Sequence, residues 1–409
     1  MENEQNTLNN KSNKKGKNLI IIILILIILG LVGYLVYDKV IKNIKDHNNS
    51  KEEQEVEENN SDEKTPLDKY GDVNAFGVIE KQNYPDDVTM DIVAYTNDDK
   101  IINIYSIDKE LLKDVVSKND IASLSKNINV DYYENKLYIQ LHDQLYYIDL
   151  TKSEYELTKV DVTLPSKYCK DIYIVDGIIY FNQGDAKNFI YNIDTKQLTN
   201  FPDNIVNFII KKDTKQIIFV KFDENQRLYW APLSDMNSSN IIFSSNLTPI
   251  TYYNYYNDNV IFEVLGDPRD NSQFYEKWTY NLSNGEKKET SIPFESNVMV
   301  IDNEIYYSEQ KTVMRSNYTV ESLVLNIYKY ENDNSHLIYQ FTTGITGNEA
   351  EYIGNNKILL MDNNDNGVDK IIDTNGKEVE YTITNLDDST NKLDLSKSDI
   401  VKFEYINVE

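Results

Sequence analysis

Cysteine occurs once in the 409 residues, histidine three times, and only three of the 41 basic side chains are arginine. The lone Cys169 excludes an intramolecular disulfide, so the fold draws no stability from cross-links. It precedes an apolar run, Asp171 to Asp176, and reads as a small buried residue rather than a reactive thiol. His47, His142 and His336 stand far apart and outside any HExxH pattern, so neither a conventional zinc site nor a His-based triad has a local signature. GxSxG, P-loop and GxGxxG motifs are absent too. Paired carboxylates stay open, because glycosidase pairs obey no spacing rule.

Negative charge is in excess. The net charge is −26, and residues 1–45 run against it with seven lysines and three acids. The remainder is therefore strongly acidic and repels polyanions at long range, which argues against nucleic-acid binding. Residues 19–37 form an unbroken uncharged run rich in Ile and Leu. At about 1.5 Å per residue it spans roughly 28 Å, close to the hydrocarbon thickness of a bilayer. Tyr34 and Tyr37 sit at interface depth and no small-x-small cleavage site follows, so the run reads as an uncleaved anchor. The basic leader, residues 1–18, places the N-terminus in the cytoplasm and the rest outside the cell membrane. Residues 38–69 follow as an acidic spacer; its 46–66 portion has eight acids and almost no apolar side chain, a composition that cannot offset ordering entropy.

From residue 70 to 409 the chain consists of short Tyr- and Ile-rich strands bounded by Asn, Asp and Gly turns. A strand pair recurs at intervals of roughly 38 to 51 residues, the length of a propeller blade rather than of a helical repeat. Its clearest copies are 136–150, 177–194 and 216–233. Tyr138, Tyr180, Phe219, Phe262, Tyr306 and Leu360 align on the second strand of successive units. Tyr147, Tyr191, Tyr229, Tyr280, Tyr328 and Ile371 align on the third. The expectation is an all-β propeller of about seven four-stranded blades, with six to eight open. The first unit, 90–107, is the least regular, and a helix-like segment at 109–118 follows it. The segment 400–408 reads as a further strand able to complete a blade begun near the N-terminus and close the ring. The aligned aromatics are expected to pack between blades.

The strand pairs NKLYIQ–DQLYYIDL and GIIYFN–NFIYNIDT resemble the tyrosine-rich propeller repeats of unknown function in anchored or secreted proteins of low-GC Gram-positive bacteria. LYWAPLSD at 228–235 is loosely similar to YWTD-type propellers, with Ala231 and Pro232 in place of Thr-Asp. The resemblance spans about residues 88–384. It implies a propeller and carries over no catalytic residue.

Two local features suggest sites. Asp362, Asn364 and Asn366 precede Gly367 in the spacing of the first half of a calcium loop. Asp373 and Asp369 depart from the rest of that pattern, and an Asn-Gly hairpin turn explains the same residues. Arg227, Arg269 and Arg315 fall in the loops between second and third strands of three consecutive units. A guanidinium is a planar fork suited to carboxylate or phosphate, so these three define one candidate ligand-binding face. The resulting expectation is a non-catalytic, membrane-anchored binding or scaffolding propeller. Its partner would be an envelope protein, a peptide or a cell-wall polymer. An envelope hydrolase or lyase using channel carboxylates, and a single-pass sensor, are the alternatives.

Overall fold

The structure is a computed structural model. It describes residues 65–83, 87–96, 98–107, 111–112, 128–167, 169–184, 187–202, 204–222, 226–245, 250–265, 275–293, 296–344, 348–352, 354, 356–362, 370–380, 382–386, 390–392 and 398–404. The expected leader, anchor and spacer up to residue 64 lie outside the described residues.

Strands explain most of what is described, and their pairing gives a β-propeller. Six blades, numbered two to seven after the sequence units, are each built from consecutive strands. Blades two to six have four strands and blade seven has three. In blade three, for example, Asp171–Val175, Ile178–Asn182, Phe189–Asn192 and Gln197–Asn200 lie side by side in sequence order. A six-stranded sheet assembled from both ends of the described chain closes the ring. In it Val73–Asn83 pairs on one side with Asp87–Thr96 and on the other with Ser398–Glu404, as expected for the C-terminal strand.

Both faces of every blade are apolar, and the two-residue period of a strand sorts them. In the second strand of blade four, Ile217 and Phe219 join the core shared with blade three, while Ile218 and Val220 join the core shared with blade five. Leu359 of blade seven likewise packs on the closing sheet and Leu360 on blade six. Among the described residues each pair of neighbouring sheets shares such a core all the way round. This is why the repeat strands are continuous apolar runs, and why no blade is stable alone. Leu67 and Tyr70, on the approach to the first strand, are buried in the core between the closing sheet and blade two.

Asn and Asp take most of the paired turn positions that need left-handed backbone. Asp176–Gly177, Glu134–Asn135, Asp302–Asn303 and Asn332–Asp333 have positive φ at both residues, the type I′ geometry that matches strand twist. A glycine-poor chain thus still makes tight hairpins, because short polar side chains tolerate this region.

The turns divide the propeller into two ends. Turns between first and second strands lie at one end, called proximal here, and those between second and third strands at the other, distal end. Val73 pairs with Thr96, and Asp98 and Asp99 lead from that strand to the next, Lys100–Ile107. Asp99 is ion-paired at 3.1 Å with Lys357, the first residue of the second strand of blade seven, Lys357–Asp362. The chain therefore enters at the proximal end.

Three expectations are corrected. Blade seven has three strands rather than the expected four; Thr382–Asn385 runs instead parallel to Lys100–Ile107, beyond the outer strand of the closing sheet. The aligned residues of second and third strands face each other only in blades two and four: Tyr191 faces Ile179, Tyr280 faces Val260, Ile371 faces Leu359, and Tyr328 faces Tyr307 with stacked rings 4.9 Å apart. The first unit also owns an extra strand, Val73–Asn83, that the repeat pattern does not reveal.

Candidate distal binding face

Blade six extends beyond its neighbours. Its second and third strands, Glu304–Met314 and Val320–Glu331, continue as a paired ribbon whose last rungs are Val313 opposite Ser322 and Met314 opposite Val320. All of residues 310–321 are exposed. The tip is closed by the Arg315 N–H donating to the Thr319 carbonyl at 2.8 Å and the Tyr318 N–H donating to the Arg315 carbonyl at 3.0 Å. Thr319 Oγ1 also donates to Asn317 Oδ1 at 2.6 Å. Tyr318, with φ of 62°, projects its ring outward and is 89% exposed. Met314, Val313 and Val320 are exposed beside it. Burial would remove this apolar area from water at about 25 cal/mol per Å², which the isolated propeller forgoes.

The tip also departs from the chain's charge. Residues 310–320 hold Lys311 and Arg315 and no carboxylate. Sequence reasoning found the arginine but missed the apolar tip, because strand length beyond the blade is invisible in the repeat pattern. The absence of acids from this stretch was the available signal.

Of the three arginines, Arg315 stands at the tip and Arg227 is the second residue of its strand, Gln226–Pro232, half-buried and opposite Lys221. Both belong to the distal end of their blades, but Arg227 is a strand residue rather than a loop residue. Arg269 lies outside the described residues. So do Asn364, Asn366 and the side chain of Asp362, and with them the candidate calcium loop. Among the described residues no group of three or more His, Cys, Asp or Glu is placed to hold a metal ion. His142 is buried in the distal turn of blade two and His336 is exposed on the outer strand of blade six. Cys169 is buried, its thiol donating to the Asp171 carbonyl at 3.0 Å.

Towards the axis, buried charge is held by partners. Asp131, on the inner strand of blade two, accepts the Ile174 N–H of blade three at 2.6 Å and an ion pair from Lys212 of blade four. Burial pushes its carboxyl above the usual carboxylate range, and Lys212 opposes that rise. Glu263 and Lys277 are cross-strand neighbours in blade five, ion-paired at 2.7 Å, and the Lys277 ammonium also donates to the Pro293 carbonyl at 2.9 Å. Tyr253 and Tyr255 of the inner strand of blade five are buried with hydroxyls that meet no hydrogen-bond partner.

At the proximal end a cleft of about 490 Å³ opens between blades five and six, lined among others by Tyr256, Asn257, Lys288, Glu304, Lys329 and Asp333. Its charges are paired in place: Lys329 with Glu304 at 2.6 Å and Lys288 with Asp333. The hydrogen bond from Lys329 holds the Glu304 carboxyl below its ordinary range.

Among the described residues no helix is long and apolar enough to cross a membrane. No family model and no curated protein matches the chain. That includes the tyrosine-rich repeat resemblance, which gains no sequence-level match. Solved structures align with it distantly. An oligogalacturonate lyase in complex with manganese is 12% identical with a TM-score of 0.42, covering 76% of this chain and 85% of that one. The WD40 domain of Toxoplasma gondii coronin is 10% identical with a TM-score of 0.40, covering 82% and 90%. BamB from Moraxella catarrhalis is 9% identical with a TM-score of 0.39, covering 80% and 87%. These likenesses span enzymes and non-enzymes and carry no argument about function; the propeller assignment rests on this chain's own sheet order.

Proposed function

We propose that this protein is a non-catalytic binding or scaffolding propeller, tethered to the cell membrane through residues 19–37 and held outside it on the acidic spacer. Its distal end receives an envelope protein, a peptide or a cell-wall polymer. One observation carries the reading: the hairpin of blade six lifts Met314, Arg315 and Tyr318 into solvent at the end opposite the one where the chain enters. An exposed aromatic beside an arginine is the composition enriched at energetic centres of interfaces. Arg227 stands at the same end of blade four and extends the cationic surface toward an anionic partner, and Arg269 joins the proposal on its place in the sequence alone. Calcium at Asp362, Asn364 and Asn366 is part of the same proposal, on the sequence spacing of these donors alone.

The test uses the full-length chain on intact cells, with a photo-crosslinking residue at position 318 or, as the control at the proximal end, at Lys377. A recurring adduct from position 318 that is absent from 377 and lost on replacing all three arginines by alanine supports the reading. Identical adducts from both positions, or none from 318, defeat it.

A further inference from the structure

On the outer side of blades four and five, one ammonium is surrounded by aromatic rings. Lys287 Nζ lies 4.2 Å from the ring centre of Trp278, 4.6 Å from that of Phe243 and 5.8 Å from that of Phe262. The rings come from three strands of two blades: Asn240–Ser245 for Phe243, Asn259–Leu265 for Phe262, and Tyr275–Asn281 for Trp278. Phe262 is fully buried and cross-strand from Trp278, and Phe243 sits 5.5 Å from it, so the cage is anchored in the core between the blades. The Trp278 indole is oriented by its Nε1–H donating to Glu276 Oε2 at 3.1 Å, which sets a carboxylate beside the cage. Aromatic faces with a nearby acid are the arrangement that recognises alkylated ammonium groups.

The resident lysine is a poor occupant. A primary ammonium keeps three N–H donors, and the rings offer no acceptor for them. Burial accordingly pushes the Lys287 amine below its ordinary range, with Glu276 opposing. A quaternary ammonium has no N–H to desolvate and exploits the same ring faces fully. Lys287 also rides on the least secured strand of the blade, the three-residue Lys287–Glu289 edge, which is exposed throughout. The lysine can therefore leave without disturbing the cage.

We infer that Phe243, Phe262, Trp278 and Glu276 form a binding site for a quaternary or multiply methylated ammonium group, for which Lys287 is an intramolecular latch.

The site is independent of the distal face and is tested separately, on the full-length chain in maltoside micelles. The chain has two tryptophans, so a Trp230→Phe background leaves Trp278 as the reporter. Tetramethylammonium chloride is titrated against potassium chloride of equal ionic strength. In Lys287→Ser, and in Lys287→Gln as a second variant, the Trp278 fluorescence change should saturate at a concentration at least tenfold lower than with Lys287 present. Adding Phe243→Ala should abolish saturation. A response that is absent from both lysine variants, is reproduced by potassium, or survives Phe243→Ala overturns the site. An unchanged midpoint between Lys287 and its variants overturns the latch.

Discussion

Asp131 of blade two and Lys212 of blade four are ion-paired across the blade that separates them, and the same carboxylate accepts the Ile174 N–H of that intervening blade. One buried group thus ties three consecutive blades together on the inner side of the ring. Its carboxyl is 1% exposed whereas Lys212 is 37% exposed, so the pair is half sheltered.

Removing one partner should cost more than removing both. Breaking a buried pair costs about 3–5 kcal/mol, and the partial exposure of Lys212 moves the expectation to about 2–3 kcal/mol for Lys212→Ala. Asp131→Asn keeps the Ile174 contact without the charge and should cost less. Urea unfolding of the two variants and the double variant gives the coupling directly. A double variant as unstable as the sum of the singles would mean the pair contributes nothing.

Tyr253 and Tyr255 should be better as phenylalanine. Their hydroxyls are buried without partners, so removing them relieves a desolvation cost, a gain of up to about 1 kcal/mol each. Burial raises both phenols above their ordinary range. The folded state then holds protons that the unfolded chain releases near pH 10, so stability falls as pH rises above about 10. The double Phe variant should show a shallower alkaline loss in thermal melts. Equal slopes would remove this account.

Two glycines with positive φ separate conformation from space. Gly376 has φ of +80°, and a Cβ there would overlap the Ile338 carbonyl oxygen of blade six. Gly71 has φ of +86° and nothing within 4 Å of that position. Gly71→Ala should cost only its backbone strain, about 1–3 kcal/mol since ψ of −165° puts it in a region open almost to glycine alone, and Gly376→Ala should add a clash that moves the turn off blade six. Comparable melting shifts would refute the steric part.

Core and tip should respond oppositely. Phe219 is fully buried between blades three and four, and Phe219→Ala should cost about 3–5 kcal/mol. Tyr318→Ser should stay within about 0.5 kcal/mol of the parent in stability while losing the crosslinked partner. A large melting shift for Tyr318→Ser would give the tip a structural role instead.

Deleting residues 398–409 should open the ring. Val73–Asn83 would lose its Ser398–Glu404 neighbour and become an unpaired edge. Broadened unfolding and concentration-dependent association, followed by calorimetry and light scattering, are the expected results; a sharp, monomeric transition would argue that the closure is dispensable.

Much of the fold was legible because blade architecture is written locally. A strand buried on both faces must be apolar throughout, and its turns must tolerate left-handed backbone; Ile217 to Val220 and Asp302–Asn303 meet these demands within a few residues of sequence. The aromatic positions and the closing role of the C-terminal strand followed from that. The sequence by itself also determined the acidic surface, the scarcity of arginine and the absence of any cross-link. What only the tertiary structure decided are relations between distant segments. Register departs from the alignment in blades three, five, six and seven; in blade six Tyr306 and Tyr307 are chemically equal and only packing against blades seven and five sorts them. The path of Thr382–Asn385 to a parallel edge depends on which sheet has an edge free. The reach of the blade-six hairpin, the Asp131–Lys212 pair and the cage around Lys287 each join residues from separate strands or blades. Their energies come from proximity in space, which no local pattern encodes.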